Sequence, residues 1–141
     1  MKGIIAMTSI DVQAPADKVW AALVDPEKIK QYMFGTKVTS DWKEGSPITW
    51  AGEWKGKPYE DKGKILKIQQ GKLLEYSHYS PMTGAPDVPE SYHTVSIELA
   101  EASGRTKLTL AQDNNSNDEA RKQSEQNWKQ MLEGLKKVVE K

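Results

Sequence analysis

Few side chains in this sequence could do chemistry, and most lie in its second half. His78 and His93 are the two histidines of the chain. An imidazole titrates near neutrality, so two facing histidines could share a metal or act as acid and base. Tyr76 precedes His78 by two residues and shares its face if the segment is a strand. Phenol and imidazole together could polarise a carbonyl or move a proton, as a cyclase or aldol-type enzyme would require. A metal site ordinarily wants a third protein ligand, so hydrogen-bonded structural histidines are expected, with no metal and no other cofactor. Glu60 and Asp61 are adjacent in "YEDKG" and would face opposite sides of a strand, which rules out a close carboxylate pair. One of them is expected to pair with a lysine or to cap the "PDVPESYH" loop (86–93) by accepting backbone N–H bonds. Gln112, in "QDNN", reads as a strand end and turn, and its amide could contact a ligand. The sequence has no G-x-S-x-G, P-loop or G-x-G-x-x-G pattern, which argues against a conventional hydrolase, kinase or dehydrogenase. Binding without catalysis is the leading expectation.

A second cluster consists of aromatic residues. In "ITWAGEWKGK" (48–57), Trp50, Gly52 and Trp54 fall on one face of a strand because side chains alternate with period two. Such a face plugs a core or walls a cavity. A cavity is expected here, with Gly52 leaving room between the two rings.

Composition narrows the partners. The 141 residues fit one domain spanning 1–141. Twenty basic and twenty acidic residues balance to a net charge of zero, so no basic stripe suits nucleic acid. Cysteine is absent, which excludes disulfides and thiolate chemistry and agrees with a cytoplasmic location. The N-terminal apolar patch is too short for a signal-peptide core, and no apolar run approaches the ~20 residues of a membrane span.

The elements that must position these groups are legible from periodicity. Residues 3–13 alternate as a first strand. "APADKVWAAL" predicts a helix with Pro15 at its first position, and "DPEKIKQYMFG" a second short helix capped by Asp25 and ended by Gly35. Strands are predicted at 36–41, 46–54, 57–69, 72–79, 91–100 and 104–112, with an irregular proline-bearing loop at 80–90. The last segment predicts an amphipathic helix over about 117–140 with a Ser116/Glu119 capping box. This order implies an α+β fold, a curved antiparallel sheet around a long C-terminal helix.

The segments "APADKVWAALVDPEKIKQYM" (14–33), "DWKEGSPI" (41–48), "YEDKG" (59–63), "PDVPESYHTV" (86–95), "LTLAQDNN" (108–115) and "NWKQMLEGLKK" (127–137) resemble the START-like (SRPBCC) superfamily. Within it they are similar to the activator of heat-shock protein 90 ATPase homologue-like family. The resemblance implies a helix-grip fold of six or seven strands. It also implies, by itself, a chaperone partner or protein-interaction role. It does not choose an activity, because the superfamily hosts carriers, receptors and cyclases alike.

Symmetric hairpins would oppose His78 to His93, Tyr76 to Val95 and Leu74 to Ile97, then Val95 to Gln112, Ile97 to Leu110 and Leu99 to Leu108. The resulting face is apolar at one end and polar at the other. The last helix has the same gradient: Leu132, Leu135, Val138 and Val139 near its end, and Trp128, Asn127, Ser124 and Ala120 near its start. A small hydrophobic or amphipathic molecule is therefore the expected partner, held between sheet and helix. The candidate ligand-binding residues are Phe34, Trp42, Trp50, Trp54, Tyr76, His78, His93, Gln112, Ser124, Asn127 and Trp128.

Overall fold

This computed structural model describes residues 1–81 and 84–140, with the backbone alone at Trp54. In chain order the elements are β1 (Ile4–Val12), α1 (Ala16–Val24), α2 (Pro26–Tyr32), β2 (Lys37–Ser40), β3 (Pro47–Trp54), β4 (Lys57–Gln69), β5 (Leu73–His78), β6 (His93–Ala102), β7 (Arg105–Asn115) and α3 (Asp118–Val139). A 3-10 turn at Pro89–Ser91 interrupts the loop before β6. The strands form one curved antiparallel sheet in the order β1-β7-β6-β5-β4-β3-β2. The architecture is the α+β helix-grip arrangement.

Alternation sets the faces. Val95, Ile97 and Leu99 on β6 and Thr106, Leu108 and Leu110 on β7 are buried, and most residues between them are more exposed. The β5–β6 and β6–β7 registers are those of symmetric hairpins, with His78 opposite His93, Tyr76 opposite Val95 and Val95 opposite Gln112. Each strand thus sends its apolar set to the side that α3 covers.

β4 turns the sheet. Its first half pairs with β3, its second half pairs with β5, and the register shifts between Ile65 and Lys67. Bulges of this kind bend a strand. Gly63 lies at the crossover, where a β-carbon would sit 1.7 Å from the Ser77 carbonyl oxygen. A side chain there is sterically forbidden.

Caps set the helix starts. Asp25 accepts the Glu27 N–H (3.0 Å), with Pro26 opening α2. Pro15 stands just before α1 rather than inside its first turn. For α3 the cap is Asn117, not Ser116: its extended backbone lets Oδ1 accept the Ala120 N–H at 2.8 Å. The apolar stripe of α3 buries Met131, Leu132, Leu135 and Val139. Gly134 lets this helix approach α2, since a β-carbon there would meet the Tyr32 side chain at 3.3 Å.

α3 also fastens the sheet edge. β1 is an outermost strand, and its outward backbone groups would otherwise invite another strand. Glu125 accepts the Met7 N–H at 3.0 Å, and Lys136 donates to the Asp11 carbonyl at 2.8 Å. Glu140 accepts the Gln13 N–H at 2.8 Å, just past the strand.

Two outcomes are expected. Gly63→Ala forces the β4–β5 backbones apart and lowers unfolding free energy by at least ~3 kcal/mol in urea titrations. Glu140 is held below its ordinary carboxyl range by the Gln13 N–H and then by Lys136. Its folded value is depressed, so its contribution is present above the unfolded value and is lost as pH falls through the folded one. Glu140→Gln should therefore lower the melting temperature at pH 7, and the difference from the parent should shrink as pH falls below about 4.3 and vanish only below the depressed folded value.

Candidate functional site

The aromatic wall expected to line a cavity divides in two. The Trp50 ring lies 5.1 Å from that of Tyr76 and 5.0 Å from that of His78. Trp50 and Tyr76 are buried, and together with Trp42 they line a void of about 30 Å³. That is room for about one or two waters. Burial pushes the phenols of Tyr32 and Tyr76 well above the ordinary tyrosine range. Gly52 opens no vacant space: β3–β4 pairing sets it opposite Tyr59, whose hydroxyl would lie 2.8 Å from an added β-carbon. The tyrosine fills the space that the missing side chain vacates.

A second cavity, of about 350 Å³, opens beside this packed region. Its walls come from the segment after α2 (Met33, Phe34, Thr36), from Glu53 and Tyr59 on β3 and β4, from Gln112 on β7, and from Ser124, Asn127, Trp128 and Met131 on α3. Here α3 carries small or polar side chains where leucines would have filled the volume.

Hydrogen bonds fix the walls. Thr36 donates its hydroxyl proton to the Met33 carbonyl (2.7 Å), so at 2.7 Å Tyr59 must be the donor to Thr36 Oγ1. Trp128 Nε1–H donates to Gln112 Oε1, and Ser124 Oγ donates to Asn115 Oδ1 at 2.8 Å. Asn127 Oδ1 accepts from Gln123 Nε2 at 3.0 Å. With its oxygen on Trp128, the Gln112 amide turns Nε2 towards His93 Nδ1, 3.3 Å away. The His93 Nδ1 contact to the Asp113 carbonyl, at 2.9 Å, requires a proton on that nitrogen. Phe34 stands at the rim, 87% exposed and with φ 55°. That left-handed backbone is costly for a side chain with a β-carbon.

Of the expected ligand-binding residues, Phe34, Gln112, Ser124, Asn127 and Trp128 meet at the larger cavity. Trp42, Trp50 and Tyr76 line the small void instead. His93 lies behind Gln112 and donates to the Asp113 carbonyl, and the side chain of Trp54 lies outside the described residues. His78 Nε2 is 3.0 Å from Asp61 Oδ2, so Asp61 pairs with a histidine rather than with a lysine or the loop. The other oxygen, Asp61 Oδ1, is buried without a hydrogen-bond partner. Among the described residues no three His, Asp or Glu side chains cluster as a metal site.

Gln112–Asn115 continue β7 rather than turning. The buried Asp113 carboxylate accepts N–H groups from Lys2 (3.0 Å) and Thr94 (2.5 Å), and Asn115 donates to the Ile4 carbonyl at 2.9 Å. The sequence reading missed Met33, Thr36, Glu53, Tyr59 and Met131 as cavity residues. Tyr59 had a signal, because a two-residue turn at Lys55–Gly56 places it opposite Gly52.

No helix among the described residues is long and apolar enough to cross a membrane. The model of the family described as Activator of Hsp90 ATPase homolog 1-like protein matches residues 13–140. The solution structure of ChR145 from Cytophaga hutchinsonii is 55% identical, with a TM-score of 0.87 over 99% of this chain and 97% of that one. Protein MLL2253 from Mesorhizobium loti is 19% identical with a TM-score of 0.78, covering 96% of each chain. The Aha1 dimer from Colwellia psychrerythraea is 19% identical with a TM-score of 0.74, over 97% of this chain and 96% of that one. The latter two likenesses concern the fold alone. No curated protein matches the sequence.

The indole of Trp128 reports on this wall. Gln112→Leu removes its acceptor and should cost ~1 kcal/mol of stability. In proton–nitrogen spectra the Trp128 indole resonance should move while that of Trp20, buried on α1, stays in place.

Proposed function

The chain belongs to the Activator of Hsp90 ATPase homolog 1-like family, and from that premise we propose that it binds a small apolar or amphipathic molecule beside the N-terminal half of α3. One observation carries this reading. The helix that packs tightly at Leu132, Leu135 and Val139 presents Ser124, Asn127 and Trp128 to a cavity of about 350 Å³. Ligand sites of this kind have roughly 300–1,000 Å³, apolar walls and a few convergent polar groups.

Binding is favoured over turnover. The groups expected to do acid–base chemistry, Tyr76, His78 and His93, are absent from the described lining of the larger cavity, whose ionisable side chains are Glu53 and Tyr59, and Tyr76 faces the small void. The Asp61–His78 pair is instead roofed by the Trp50 ring.

Phe34 supports the same reading. An exposed aromatic ring in left-handed backbone contributes little to the folded state, and a ligand seated in the cavity would cover it. N-phenylnaphthylamine, a neutral fluorescent probe that fits this volume, should bind saturably with one site per chain. Phe34→Gly should weaken that binding about tenfold, through loss of apolar contact worth ~1.5 kcal/mol. The melting temperature should not fall, because glycine takes the left-handed conformation without strain. Absence of saturable probe binding, or a Phe34→Gly variant that loses stability but keeps its affinity, would defeat the proposal.

A further inference from the structure

We infer that this cavity selects molecules whose polar head is neutral or cationic and donates hydrogen bonds, and that it rejects carboxylates and phosphates. The inference rests on the cavity being a binding site and concerns what that site accepts.

The first ground is charge. Among the described residues lining the cavity there is no lysine, arginine or histidine, and Glu53 is the one ionisable carboxyl. An anion moved into such a site would leave water without gaining a counter-ion, and it would lie near a like charge. A cation gains the Glu53 carboxylate. An alcohol or amide head carries no charge to desolvate.

The second ground is where the protons are. The Thr36 hydroxyl donates to Met33, the Tyr59 hydroxyl to Thr36, the Ser124 hydroxyl to Asn115 and the Trp128 indole to Gln112. Each of these donors is already engaged within the wall. A hydroxyl that donates once still has lone pairs, so Tyr59 Oη and Ser124 Oγ retain acceptor capacity and no free proton. The remaining neutral donors are the amide hydrogens of Gln112 and Asn127; Gln112 Nε2 faces His93 Nδ1, which is itself protonated towards the Asp113 carbonyl and takes no hydrogen bond from it. Reversing the hydroxyls to serve an anion would leave the Met33 carbonyl and Asn115 Oδ1 without those partners. The hydroxyls of the lining are therefore set to receive protons rather than to give them, and with no cation beside them the two side-chain amides offer an anion only neutral donors.

Three ligands with one apolar body separate the possibilities: phenylbutylamine, phenylbutanol and phenylbutyrate, each titrated at pH 7 against bound N-phenylnaphthylamine. The amine and the alcohol should displace the probe, with phenylbutyrate at least about tenfold weaker than either. Glu53→Gln should weaken the amine about threefold, the modest effect of an exposed charge, and leave the alcohol unchanged. Displacement by phenylbutyrate equal to that by the amine would overturn the head-group selectivity while the cavity reading stands. Failure of all three against a probe that binds saturably would also overturn it. Failure of the probe itself to bind would remove the cavity reading, and the selectivity with it.

Discussion

Leu132, Leu135 and Val139 press the C-terminal half of α3 onto the sheet, and Glu125, Lys136 and Glu140 fasten the same helix along the open edge of β1. These two sets of contacts fix the helix in height and in direction. Once it is fixed, its N-terminal half must lie over the polar end of the curved sheet, whatever side chains it carries there. Those side chains are short or polar, so the helix stands over a hollow rather than over a core. Burial at one end thus produces the cavity at the other, and the edge contacts keep the helix from rotating to close it.

The aromatic residues divide the inner face between two tasks. Trp50, Tyr76 and Trp42 complete the packed region, where the remaining void is about 30 Å³. Trp128 and Tyr59 border the larger cavity, and each has its polar atom held by a neighbouring side chain. A ring with a fixed hydrogen bond keeps its orientation when nothing is bound. The walls are therefore preorganised, and Phe34 is the exposed apolar element at their rim. This division also explains why the histidines are poor candidates for chemistry. His93 donates to the Asp113 carbonyl, and His78 pairs with Asp61 beside a tryptophan.

Membership of the family settles the architecture without choosing a ligand, since folds of this kind carry many functions. What distinguishes this chain is local: which side chains replace leucine on α3, where the hydroxyl protons go, and which charges are missing from the lining.

Much of this was legible in the sequence. Strand and helix periodicities, the Asp25 cap and the symmetric registers followed from alternation and turn chemistry, because both depend on neighbours close in the chain. Gln112, Ser124, Asn127 and Trp128 were placed together by matching polarity gradients in β7 and α3; Phe34, which joins them at the cavity, lies on neither element. The filling of the space above Gly52 was legible only in part: the turn at Lys55–Gly56 sets Tyr59 opposite it, but where the ring leans depends on packing. The partner of Asp61, a histidine brought near by a bulge in β4, was not legible. Read alone, the chain specifies its elements, their order and the face each one buries, since periodicity is a local property. The tertiary structure alone decided which aromatic rings fill volume and which border an empty one. Close packing depends on the shapes of residues distant in sequence, and no spacing rule encodes it.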